Sequence, residues 1–190
     1  MEQPLVTLVA LVLVAFCKGG TSTVDFCLNK SCPESKLLDK NEDFEVRWYA
    51  ASEWITTKID GDGTVAAMAA NSRLQKSGYA FLSKSWPVLV TYTEGEDGLC
   101  WTLSWFVPKN TTKPENHDPS VTLQTKPAAT VYVRLFSGTP SLAWGQENAK
   151  ILQDALKKAE KTFNSSTYSG AAYDSYWSLH HHNEIWIPAE

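Results

Sequence analysis

Residues able to do chemistry are few in this 190-residue chain, and the densest group stands near its C-terminus. His180-His181-His182 places three imidazoles in a row just ahead of Asn183-Glu-Ile-Trp186. Imidazole is a common metal ligand, and in an extended stretch alternate side chains point the same way, so two of the three could share one target. The plainer alternative is a solvated polar loop. Tyr176 and Trp177 stand just before the triplet, where their rings could stack on a flat ligand or pack against the body of the fold. The remaining histidine, His117, sits beside Asp118 in a polar stretch that reads as a solvated turn. Glu53 and Glu184 fall in strand-like segments, and nothing in their spacing makes them an acid–base pair. No Gly-x-Ser-x-Gly elbow and no glycine-rich phosphate loop occurs. Asp60-Gly-Asp-Gly63 opens like a calcium loop, but Asn71 stands where the bidentate glutamate belongs. These patterns point to binding rather than catalysis.

The other reactive groups are thiols, at Cys17, Cys27, Cys32 and Cys100, and their state depends on compartment. Leu5 to Phe16 is an uncharged apolar run, too short for the roughly 20 residues that cross a bilayer but suited to the core of a signal peptide. Lys18-Gly-Gly-Thr-Ser22 ends it at once. A leader over residues 1–17 is expected, with cleavage between 17 and 22, and no other segment approaches membrane-spanning length. Loss of Cys17 leaves three cysteines, so an oxidising compartment predicts one disulfide and one free thiol among Cys27, Cys32 and Cys100. Cys27–Cys32 would close a small loop, and Cys32–Cys100 would tie the N-terminal arm to the body. No paired C-x-x-C spacing favours zinc. Export also opens the Asn-x-Ser/Thr sequons at Asn29, Asn110 and Asn164 to glycosylation.

The elements that must position these groups follow from periodicity. Residues 18–42 read as an irregular, cysteine-bearing arm, and 43–190 as one domain. Phe44, Val46 and Trp48 alternate with Glu45, Arg47 and Tyr49, and Glu53–Ile59 makes a second strand. Thr64–Lys76 is alanine-rich and reads as a helix with Val65, Met68, Ala69 and Leu74 apolar. Trp86–Thr93 and Leu99–Val107 form a hairpin around Glu94–Gly98, with Trp101 and Trp105 on one face as core candidates. Strands over 120–125 and 128–136 precede a helix over 146–163, whose Leu152, Leu156, Ala159 and Phe163 share a face. Short strands at 171–173 and 183–187 close the chain. Strand, strand, helix, strand, strand therefore occurs twice. The fold class is α+β: a distorted antiparallel β-barrel or curved sheet with two α-helices. A formal charge of −4 argues against nucleic acid.

Four segments, in order, resemble the SOUL haem-binding family. They are Asp43-Phe-Glu-Val-Arg-Trp-Tyr49 with Glu53-Trp-Ile-Thr-Thr57; Trp86-Pro-Val-Leu-Val90; Ala129-Thr-Val-Tyr-Val-Arg-Leu-Phe-Ser-Gly138; and Ala172-Tyr-Asp-Ser175 with Asn183-Glu-Ile-Trp-Ile187. The resemblance covers roughly residues 32 to 187. It implies a distorted antiparallel barrel with two helices. It also implies a shallow apolar tetrapyrrole site between the first helix and a C-terminal loop. Family ligand positions match this chain unevenly. The axial histidine of one branch falls on Trp48, which cannot ligate iron. Methionines that other members carry on the first helix fall nearest Asn71 and Gln75, with Met68 close by. A lysine that meets a propionate has no clear counterpart, Trp177 or Ser178 being closest, while Arg73 keeps a positive charge on the helix. The resemblance thus implies haem or another tetrapyrrole held among Met68, Asn71, Arg73, Gln75, Tyr176 and Trp177, with His180, His181 or His182 as iron ligand. The alternative is a module of this fold that has lost haem ligation and binds another apolar ligand or a protein.

Overall fold

The computed structural model describes Cys27 and residues 31–190 other than 62, 96, 97 and 114. The expected leader with Cys17, its cleavage region and the sequon at Asn29 lie outside the described residues.

Nine strands and two helices follow one another along the chain. They run β1 (Ser35–Lys40), β2 (Glu45–Tyr49), β3 (Ser52–Lys58), α1 (Gly63–Leu74), β4 (Val88–Gly95), β5 (Gly98–Val107), β6 (Val121–Lys126), β7 (Ala129–Phe136), α2 (Leu142–Lys158), β8 (Thr167–Ala172) and β9 (Asn183–Pro188). All pairs are antiparallel, in the order β1-β2-β7-β9-β8-β4-β5-β3-β6, and the sheet curls into a half-barrel. From β2 onward the doubled strand–strand–helix–strand–strand pattern holds. The arm is less irregular than expected. Ser35–Lys40 pairs with β2 as an edge strand whose residues beyond Ser35 are exposed, so it carries no apolar alternation for the sequence to show.

The period of two along each strand gives the sheet two different faces. One face packs against both helices. Ile55, Ile59, Leu103, Trp105 and Val121 meet Ala70 and Leu74 of α1, while Tyr132, Ile185 and Ile187 meet Leu152 and Leu156 of α2. The opposite face closes on itself as the sheet curls, gathering Trp54, Leu89, Phe106, Val133, Ala171 and Trp186. In β2 it is Glu45, Arg47 and Tyr49 that are buried, whereas Trp48 is exposed.

The helices differ from expectation in detail. Ser141 caps α2, its hydroxyl accepting from the Trp144 N–H at 3.2 Å, so the helix starts before Gln146. It ends at Lys158, where Lys157 and Lys158 suit the negative end of the dipole, and Phe163 instead bridges to Ala189. Leu152 and Leu156 are fully buried, about 2 kcal/mol each by transfer of their side chains. In α1 the buried side is the alanine one. Ala70 and Leu74 are enclosed, whereas Val65 is 81% exposed and Met68 and Ala69 face outward. A π turn over Gln75–Tyr79, broken at Gly78 (φ +94°), and a 3-10 turn over Ala80–Lys84 carry the chain to β4.

Candidate functional site

The helices leave the middle of their face uncovered. Three strands lie there side by side, and their registers make a regular grid: Ala172–Val88–Trp105, Gly170–Val90–Leu103 and Tyr168–Tyr92–Trp101. Gly170, in the grid's middle row beside Val90, adds no side chain, which deepens the floor there. Over this floor opens a cleft of about 530 Å³, within the range of small-molecule sites. One wall is α1 and its extension, where Thr64, Ala67, Met68, Asn71 and Gln75 fall at helical spacing. The other wall is Phe136, Pro140, Ser141, Leu142 and Gly145, around the start of α2. Asp174, Ser175, Tyr176 and Trp177 close one end, and Trp177 remains 80% exposed.

Five of the residues expected at the site therefore come together: Met68, Asn71, Gln75, Tyr176 and Trp177 all line the cleft. Arg73 does not. Its guanidinium turns to the β3 side of the helix, bonding Thr57 Oγ1 at 3.2 Å, the Lys58 carbonyl, and Asp60 at 3.2 Å. The histidine triplet does not line it either. His180 is exposed, and His181 is half-buried with its Nδ1 enclosed. His182 Nε2 lies 3.0 Å from Glu184 Oε1, on the opposite face of the sheet. Of the cysteine pairings left open, Cys27–Cys32 is the bond formed, and Cys100 is free. Asn110 is exposed in a turn (φ +65°), and Asn164 Oδ1 accepts from Ser166 N and Oγ.

Most of the cleft was not legible as a site. Trp86, Trp101, Trp105, Phe136 and Tyr168 bring aromatic surface to it from separated strands. Trp101 and Trp105 share a strand face, as expected, yet that face is floor as well as core. Tyr168 stacks on Tyr92 with ring centroids 5.1 Å apart, and Trp101 meets Tyr92 edge-on at the same distance. Burial pushes the Tyr168 phenol well above its usual range, so it stays neutral at physiological pH. Among the described residues, Asp174 is the sole ionisable acid or base other than tyrosine lining the cleft; no Lys, Arg, His or Glu does.

The far side of the sheet carries a buried polar cluster. Glu184 accepts from Arg47 Nη1 (2.8 Å), Trp186 Nε1 (2.7 Å) and Tyr173 Oη (3.0 Å). Arg47 Nε also donates to Glu45 Oε2 at 2.7 Å. Burial pushes the Tyr49 and Tyr173 phenols upward, reinforced by the Glu184 carboxylate. Every charge is paired and hydrogen-bonded, as enclosed charges must be, and the cluster joins β2 to β9 across β7.

The grid, the two helical walls and the closing loop occupy the stretch that a known family shares: residues 30–188 match the profile of the SOUL heme-binding proteins. The chain belongs to the SOUL family. Human Heme-binding protein 2 is 26% identical to it over 157 residues, spanning 76% of this chain and 77% of that protein. The mouse Heme-binding protein 2 is 25% identical over 159 residues, with the same shares covered. The fold reaches further. A putative bacterial transcription regulation protein from Staphylococcus aureus superposes with a TM-score of 0.52 at 13% identity, covering 79% of this chain and 99% of the other. SAV2435 bound to tetraphenylphosphonium gives a TM-score of 0.52 at 13% identity, covering 78% and 94%.

Proposed function

We propose that this SOUL protein is a secreted, non-enzymatic tetrapyrrole-binding protein that captures haem or a related ring without covalent attachment, for scavenging or transport. The observation that supports it most is the cleft itself, an apolar floor three strands wide that carries Trp101, Trp105 and Tyr168. A flat ring laid on such a surface gains about 25 cal/mol per Å² of apolar area buried. The residues present suit the ring rather than its iron. Among the described lining side chains, the Met68 thioether and the phenols of Tyr168 and Tyr176 are of types that ligate haem iron, and the Tyr168 phenol is held neutral. Haem, when bound, would supply its iron, and the chain would contribute the stacking surface and exclude water from one face of the ring. Among the described residues no cation lines the cleft to meet a propionate, so the carboxylate edge belongs at the open mouth.

Titration of haemin into the protein, followed at the Soret band, tests this. A saturable shift, weakened at least about tenfold by Gly170→Leu, is expected, since that side chain would stand on the floor beside Val90. No shift would overturn it. Export and glycosylation belong to the same proposal, supported by the apolar run at Leu5–Phe16 and by the exposed Asn110. Recovery from the medium of secreting cells, with a mass shift on enzymatic deglycosylation, is the expected outcome.

A second reading has one observation in its favour. The triplet lies outside the cleft and Arg73 is engaged away from it, which suits a SOUL fold that has lost iron ligation and takes another apolar ligand.

A further inference from the structure

The charge of the cleft lining selects among flat ligands. Haem carries carboxylates, and a site built around them would be expected to place Lys or Arg on its wall. Here the lining is aromatic, aliphatic or neutral polar, with Asp174 as the one fixed charge among the described residues. The Asp174 carboxylate is only half-buried, and Oδ2 accepts from the His182 N–H at 2.7 Å. That bond pins the carboxylate at the cleft's end. Arg73, the helix cation expected at the site, is turned away to Asp60 and the β3 backbone. Electron-rich indole and phenol rings then line a site whose only formal charge is negative, and both features attract a cation.

The geometry points to a second ligand class for this cleft: planar aromatic monocations of about the size of a three-ring dye, with Asp174 as the charge-selecting residue. The positive end of such a ligand would lie toward Asp174, beside Tyr176 and Trp177, and its rings over the Val88–Val90 floor. A dianion of the same shape would meet the same floor and be repelled at the Asp174 end. The inference rests on the cleft's being a ligand site, and does not depend on haem being the ligand.

Rhodamine 123 and fluorescein test it, because both carry a three-ring xanthene with a pendant phenyl, one a monocation and the other a dianion at neutral pH. Fluorescence anisotropy against the full secreted chain is expected to show rhodamine 123 binding at least about tenfold more tightly. Asp174→Asn should narrow the difference to within about threefold, and Asp174→Glu should keep most of it. Haemin should displace the bound dye. Equal or tighter binding of fluorescein overturns the proposal, as does a preference that survives Asp174→Asn with the circular dichroism unchanged. Haemin binding without rhodamine 123 binding sinks this inference and leaves the tetrapyrrole reading standing. Failure of both ligands sinks both.

Discussion

Arg47 Nη1 lies 2.8 Å from Glu184 Oε1, with side-chain exposures of 3% and 0%, although 137 residues separate them. The pair is the tie between the first half of the sheet and its last strand. Removing one member leaves the other charge enclosed. Arg47→Leu is therefore expected to destabilise by about 3–5 kcal/mol, read from urea unfolding, and Arg47→Leu with Glu184→Leu to recover part of that loss. A double variant no more stable than the single one would contradict this account.

Acid should act through Glu45. Burial would raise its carboxyl, but hydrogen bonds and charge from Lys40 and Arg47 outweigh that and hold it below the ordinary value of 4.5. As pH falls, the unfolded chain takes up this proton first. The contribution is thus complete above about 4.5 and is lost as pH drops through the lower, folded value. In Glu45→Gln the urea midpoint should fall less steeply between about pH 5 and pH 3 than in the parent.

Much of the architecture could be read from the alternation and apolar content of β3, β5 and β7, each of which buries residues on both faces. The doubled pattern of strands around a helix held for the same reason. What escaped were features that alternation cannot rank. In β2 both faces carry large residues, and only the paired register with β7 shows that Glu45, Arg47 and Tyr49 are the enclosed set. Asp174 and Tyr168 joined the cleft through folding of distant segments, with no local pattern to mark them. The His180–His182 triplet drew attention by composition, yet His182 serves the buried cluster.

That placement makes the histidines a sharp control. His180→Ala combined with His181→Ala should leave haemin affinity and the Soret maximum unchanged, since neither lines the cleft. His182→Ala should lower stability by about 1 kcal/mol through the lost bond to Glu184, again without moving the Soret maximum. Loss of the Soret shift in either variant would place an imidazole on the iron.

The thiols give a chemical check on the N-terminal segment. Peptide mapping under non-reducing conditions should return a Cys27–Cys32 linked fragment and an alkylated Cys100. Cys27→Ser with Cys32→Ser should cost about 2 kcal/mol for so short a loop.

Because successive residues of every strand look to opposite sides, this sheet keeps two ledgers in one sequence. Val88, Val90, Gly170 and Ala172 face the cleft, while Leu89, between the two valines, belongs to the closed side. Substitutions at the cleft-facing positions can then reshape the cleft with the anchoring cluster of Arg47 and Glu184 untouched, so pocket and anchor are separately mutable parts of one sheet.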